Sequence, residues 1–368
     1  MPLSLESKFS RTLFPLISYT LIYSSLANDN FGCRDENNNV VDWLIAYKFP
    51  NEFSYGLVKP DQTNWYSNNG DLRYDGFLKY TFDQVFNYTD TDLVFGMYND
   101  EFPQHLSKSD IWYGHMKGLF AFLENSRGFW LIHSVPKLSM ESNMFVYPNS
   151  SKEYAQHFLC VTLNYSCLET IADHLAISRP LILSFRLPES IEKSIPKLKK
   201  IFNHEAERNA SLFLSSFLNA TKDDVFLRVF SKSRKFNQDL YSDLVAPALK
   251  APLYVETWRH SASNLPSNCT TEYWVKNIEK LEWPKSMNVK FKSTQDHSKW
   301  TTSTNEEGEK WTCFGDINRS VSQFARGGGT LCVKDPRLWK LFRDLVVQVE
   351  GCPITIPWSK LYSSLPLN

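Results

Sequence analysis

Beyond residue 27 the sequence has no apolar run approaching the roughly 20 residues that a membrane helix needs, so nothing downstream reads as a helical anchor. It has no Cys-x-x-Cys spacing, which removes a common signature of structural zinc. Neither charge is in excess: 40 Lys and Arg face 40 Asp and Glu, leaving no global basic signature for a polyanionic ligand. The glycine run Arg326-Gly-Gly-Gly-Thr330 lacks the Lys-Ser/Thr of a P-loop. That run is either a tight turn beside Cys332 or a nest of backbone amides for a phosphate. No repeat of solenoid period is present.

What is present belongs to an exported globular chain. Residues 1–27 carry the parts of a secretory signal: Lys8 and Arg11, an apolar stretch Thr12–Leu26 interrupted by Pro15, and the small-residue site Ser25-x-Ala27. Its removal predicts a secretory-pathway protein, lysosomal or secreted, with no membrane contact. Seven Asn-x-Ser/Thr sequons, at Asn87, Asn149, Asn164, Asn209, Asn219, Asn268 and Asn318, predict several glycans. The seven cysteines are Cys33, Cys160, Cys167, Cys269, Cys313, Cys332 and Cys352. In an oxidising compartment most should pair, one is left over, and spacing does not give the pairing. About 341 residues remain, enough for one large domain or two fused halves. With 15% aromatic and 22% charged residues the chain is globular and not disordered. Its eight histidines add positive charge below about pH 6.

The stretch Gly114–Leu138 organises the rest. Two apolar, aromatic-rich runs flank the turn formers Glu124-Asn125-Ser126-Arg127-Gly128, which predicts a β-hairpin. Alternation puts His115 and Lys117 on one side, and pairing of 123 with 129 brings His133 to it. An echo follows: His297-Ser298-Lys299-Trp300, a polar turn Asn305–Lys310, and a run Trp311–Asn318. The two His-x-Lys units lie 182 residues apart, about half of the exported chain. This predicts two similar halves, 28–175 and 176–368, facing a shared cleft with one His-x-Lys each. Asp316 and Asn318 fall near the place of His133 and are placed to orient the imidazoles, although a glycan on Asn318 would exclude it. His133 itself reads as a buried structural group or a third active-site group.

Elsewhere, strands are expected at Val40–Phe49, Asp92–Met97 and Leu181–Arg186, with a loop from 50 to Gly76. Helices are expected at Lys152–Leu163, at Glu189–His204 with a kink at Pro196, at Gln238–Leu249, and at Pro336–Glu350. The last opens on Asp335-Pro336 and ends at Gly351. The fold class is mixed α/β. His105, His157, His174, His204 and His260 read as structural or surface groups, and Glu124 as a solvated turn residue.

Several of these pieces, in this order, resemble the deoxyribonuclease II family. They are Cys33, Val41-Asp42-Trp43, Tyr47-Lys48, the block from His115 to Pro136, and Gln156-His157-Phe158-Leu159-Cys160-Val161. The later ones are Asp296-His297-Ser298-Lys299-Trp300, Gly315-Asp316-Ile317-Asn318-Arg319 and Arg326-Gly-Gly-Gly-Thr330. The resemblance spans nearly all of the mature chain. It implies an acid endonuclease that needs no divalent metal or other cofactor and leaves 3′-phosphate ends. It implies a phospholipase D-like fold of two similar halves, each contributing a His-x-Lys. It also implies the pairs Cys33–Cys160, Cys269–Cys352 and Cys313–Cys332, with Cys167 free.

The chemistry follows from the residue types as well. Cleaving a phosphodiester without metal needs a nucleophile, a proton donor for the leaving alkoxide, and cations against phosphoryl charge. A neutral imidazole can attack phosphorus while a charged one protonates O5′, and Lys117 and Lys299 hold the non-bridging oxygens. The sequence hardly separates the two assignments; we read His115 as nucleophile and His297 as acid. The neighbouring lysines lower the donor's pKa, so acid pH is needed to charge it. The expected partner is double-stranded DNA, recognised largely without regard to sequence, with a homodimer left open. Lys193–Lys200 lends only weak support to a DNA groove. Two alternatives remain: a related phosphodiesterase acting on lipid or RNA, and a glycosylated binding protein without catalysis.

Overall fold

The computed structural model describes residues 30–102, 112–141, 144–205, 211–221, 225–304 and 306–353. The expected signal segment, His105 and the Asn209 sequon lie outside the described residues.

Two large sheets form the body. The first has the order Leu181–Arg186, Leu93–Asn99, Gly118–Leu123, Arg127–His133, Gln156–Asn164, Trp43–Lys48, Tyr55–Val58, Tyr66–Asn68, all antiparallel. The second runs Phe213–Asn219, Phe226–Lys232, Gly328–Lys334, Trp311–Gly315, Trp300–Ser303, Leu253–Glu256, Val275–Glu282, Lys290–Lys292, with Val346–Val349 added onto Val275–Glu282. Five inner strands correspond between the sheets in both spatial and chain order. In the first half these are 43–48, 93–99, 118–123, 127–133 and 156–164; in the second, 226–232, 253–256, 300–303, 311–315 and 328–334.

The sheets face one another across a shared core. Ile45, Tyr47, Leu159 and Val161 of the first meet Trp300, Phe314, Leu331 and Val333 of the second. Helices Cys167–Ser178, Pro196–Phe202 and Pro336–Leu345 add to this layer. Helix Phe77–Phe86 covers the outer face of the first sheet, and the segment Tyr241–Leu249 that of the second. Both faces of the central strands are therefore buried, which explains their continuous apolar runs.

The same runs account for the main difference from the sequence reading. Lys152–Leu163 is not a helix: Asn149–Lys152 is a short 3₁₀ turn, and Gln156–Asn164 is a central strand. A short apolar run buried on both sides has no periodicity to separate strand from helix. The stretch from 50 to Gly76 is not all loop, since it contains Tyr55–Val58 and Tyr66–Asn68. The helix opened by Asp335 stops at Leu345, and Val346–Val349 turns to strand. Its β-branched residues pair along Val275–Glu282 instead. At the front of that helix the Asp335 carboxylate accepts hydrogen bonds from the amides of Arg337 and Leu338, at 2.7 and 3.1 Å. Glu189–His204 splits into Glu189–Ser194 and Pro196–Phe202, and Gln238–Leu249 begins only at Tyr241, with a π turn. The first-half boundary expected at 175 falls inside helix Cys167–Ser178, and the next strand, Leu181–Arg186, still edges the first sheet.

Three disulfides cross-link the chain: Cys33–Cys160, Cys269–Cys352 and Cys313–Cys332. Cys167 is free and buried. Among the described residues no helix is long and apolar enough to cross a membrane.

Candidate active site

The hairpin is shorter than its sequence suggests. Gly118 lies opposite Ile132 and Phe122 opposite Gly128. The register is thus two residues tighter than a pairing of 123 with 129, which keeps the parity and the facing side chains. His115 and Lys117 lie just ahead of the strand, and His297 and Lys299 just ahead of Trp300–Ser303. Lys117 faces His133, whose backbone N–H donates to the Lys117 carbonyl at 3.3 Å.

Each catalytic-type histidine is held by the opposite half. His115 Nδ1–H donates to the Asp316 carbonyl at 2.7 Å, and His297 Nδ1–H to the Ser134 carbonyl at 2.9 Å. Ser134 and Asp316 are themselves 182 residues apart, the same offset as the histidines. The backbone N–H of His115 donates to Gly327 at 2.8 Å, and that of His297 to Ala155 at 2.9 Å. These crossed bonds engage Nδ1 of each ring and leave Nε2 turned away from them.

The turns supplying those carbonyls are fixed by buried lysines. Lys48 ends a wholly buried strand, and its ammonium donates to the carbonyls of Ser151, Lys152 and Tyr154 at 2.9, 2.6 and 2.5 Å. Lys232 does the same for Gln323, Phe324 and Arg326 at 3.0, 2.8 and 2.7 Å. Burial pulls Lys48 down to about 7 and Lys232 to about 8, so both carry charge at acid pH. The glycine run thus presents carbonyls to lysine and histidine donors. At Gly327 a Cβ would meet the Ser178 carbonyl at 2.2 Å, and a side chain there would push the run off helix Cys167–Ser178.

Charge is concentrated where the halves meet. Lys117 Nζ pairs with Asp100 Oδ1 at 2.7 Å, and the other Asp100 oxygen is 3.3 Å from His115 Nε2. Against the upward push of burial, Lys117 and then His115 hold the Asp100 carboxyl well below the usual range. Lys299 Nζ donates to the His297 carbonyl at 2.5 Å and lies against the imidazole, 3.2 Å from Nδ1 and 3.5 Å from Nε2. Burial, then Lys117, pulls the Lys299 ammonium well below its ordinary value. Burial and the lysines likewise depress both imidazoles: Lys117 acts on His115, and Lys299 and Lys117 on His297. The two His-x-Lys pairs therefore share one electrostatic site.

The supporting residues divide. Asp316 accepts from the Lys117 backbone N–H at 3.3 Å, and burial pushes its carboxyl up to about 7 against the pull of Lys117. His133 is buried and neutral: burial, then Lys117, brings it down to about 3. Its Nδ1 accepts from Val135 N–H at 3.2 Å, and its Nε2 has no partner among the described residues. Asn318 is only 8% exposed, which leaves no room for a glycan in the folded chain. The sequons at Asn87, Asn149, Asn164 and Asn219 are exposed.

Asp100, Lys232 and Trp258 escaped the sequence reading, Lys48 entered it only among the residues of the family resemblance, and His157 is the structural group it read as. His157 Nδ1 accepts from the Lys299 backbone N–H at 3.1 Å, so it supports the second pair. A lysine closing an otherwise apolar strand was the one legible signal, at Lys48 in Trp-Leu-Ile-Ala-Tyr-Lys. The Lys193–Lys200 segment is largely neutralised, since Lys193, Lys197 and Lys199 pair with Glu189, Asp173 and Glu192. Among the described residues no group of three or more His, Cys, Asp or Glu is placed to hold a metal ion.

Comparison with known proteins identifies the family. The family model for deoxyribonuclease II matches residues 32–352. Plancitoxin-1 of Acanthaster planci is 32% identical over 92% of this chain and 98% of its own length. Deoxyribonuclease-2-alpha of Rattus norvegicus is 32% identical over 87% and 94%, and cell-death-related nuclease 7 of Caenorhabditis elegans 30% over 92% and 93%. A solved yeast tyrosyl-DNA phosphodiesterase aligns at a TM-score of 0.29 and 10% identity, over 60% of this chain and 67% of that one, which is too distant to carry an argument. By sequence match over almost its whole length, the chain belongs to the deoxyribonuclease II family.

Proposed function

We propose that the protein is an acid endonuclease that hydrolyses double-stranded DNA, largely without sequence preference, in a lysosome or outside the cell. The observation that carries this reading is the crossed anchoring of the two histidines, each Nδ1–H on a carbonyl of the other half. It leaves the two Nε2 atoms to take opposite proton roles.

In this scheme a phosphate replaces the Asp100 carboxylate between Lys117 and His115. His115 Nε2 attacks phosphorus as the bond to O5′ breaks, and O5′ takes the proton from His297 Nε2–H. Lys117 and Lys299 stabilise the phosphoryl oxygens. Water then attacks the phosphohistidine and gives its proton to His297, and the P–N pair returns to His115. The products are a 3′-phosphate and a 5′-hydroxyl. Because burial and the lysines depress the pKa of His297, charging the donor requires acid. Three disulfides suit an oxidising secretory compartment.

The test is plasmid nicking at pH 5 in excess EDTA. The protein side chains supply the cations, so nicking should persist. Complete loss, restored by magnesium, overturns the mechanism.

A further inference from the structure

The two half-sites differ at one equivalent position. Tyr98 lies opposite Gly118 and Glu256 opposite Trp300, and Gly118 and Trp300 each follow a His-x-Lys histidine by three residues. Two residues further on, the first half places Asp100 and the second Trp258. Asp100 pairs with Lys117 and reaches His115, whereas Trp258 sets its ring against His297, with centroids 5.0 Å apart and planes at 63°. His260 stacks on Trp258 at 4.0 Å and 17°, and Tyr154 meets Trp258 edge-on at 4.4 Å. His260 is fixed by Nε2–H donating to the Thr294 carbonyl at 2.6 Å. The column ends at solvent: Trp258 and Tyr154 are half-buried and His260 is exposed.

We propose that Trp258 and His260, buttressed by Tyr154, form a nucleobase-stacking subsite for the nucleotide whose O5′ leaves. The inference rests on the nuclease reading, in which His297 protonates that oxygen. A rigid, solvent-open aromatic column beside the donor offers a π-face that any base can use, so it binds without sequence preference. A base inside a duplex is already stacked on both sides. The subsite therefore takes a base that has left its stack at the cleaved step.

The experiment uses single-stranded oligonucleotides with one cleavable phosphodiester among methylphosphonate linkages. An abasic residue is walked along both sides of it. Wild type should show KM raised about tenfold for the abasic residue immediately 3′ of the bond, and little change for its 5′ counterpart. His260→Ala does not touch His297; it should raise KM on the intact strand similarly and make the 3′ abasic residue harmless. His260→Phe should restore the preference. Equal KM for every abasic position, or additive effects of His260→Ala and the abasic residue, overturns the subsite alone. A wild-type protein that nicks plasmid DNA at pH 5 but cuts none of these strands overturns the subsite alone, and one that also leaves the plasmid intact overturns the nuclease reading with it.

Discussion

The first half-site and the second share a backbone and differ in the groups around it. In both, a histidine leads into a strand, a carbonyl of the other half holds its Nδ1–H, and a caged lysine steadies the turn that holds its N–H. Beside the rings the likeness ends. His115 faces the Asp100 carboxylate, and His297 faces the Trp258 indole. Gly315, the residue before Asp316, stands where the first half has His133 before Ser134. A Cβ at Gly315 would meet the Gly329 carbonyl at 2.4 Å, so this position is closed to any side chain. The comparison teaches that the repeated framework fixes two equivalent imidazoles, while the unrepeated neighbours give them different surroundings. In the proposed mechanism the Asp100–Lys117 pair lies on the side of attack on phosphorus and the aromatic rim on that of the departing nucleoside.

The largest expected effect breaks the pair apart. His297→Ala should lose 10²-fold or more on DNA, yet keep appreciable first-step turnover on a 3′-thymidyl ester of nitrophenol, whose leaving group needs no proton. His115→Ala should lose both activities, by about 10² or more, because the nucleophile is gone. Burst kinetics on both substrates check this. Rescue of His115→Ala by the activated ester would exchange the roles.

Next come the cages. Lys48→Met and Lys232→Met each leave three carbonyls without their ammonium and should cost about 2–4 kcal/mol in denaturant unfolding. Their local effects should cross over. Lys48→Met loosens the turn carrying Ala155 and disturbs His297, whereas Lys232→Met loosens the run carrying Gly327 and disturbs His115. Imidazole chemical shifts would report which ring moves. Movement of the ring in the lysine's own half would contradict the crossed anchoring.

The smallest effect sharpens the assignment. The Asp100 carboxylate favours the charged form of His115, so Asp100→Asn should lower that histidine's pKa further. With His115 as the attacking neutral base, the acid limb of the kcat/KM profile should move to lower pH. A shift of the alkaline limb instead would mean that His115 donates the proton.

Read from the sequence alone, the His-x-Lys pairs, their 182-residue spacing and the parity that sets Lys117 opposite His133 were already determined. The reason is local: alternation along a strand survives a two-residue error in turn length. The helix cap at Asp335-Pro336 was legible for the same reason, because its donors lie within three residues. Only the tertiary structure decided that Gln156–Asn164 is a strand, since burial on both faces erases the periodicity that would mark it. It also decided the site's company. Asp100, Trp258, Lys48 and Lys232 reach the histidines through sheet register and carbonyls from turns distant in the chain. Such contacts depend on how two sheets meet, which no spacing along one strand encodes.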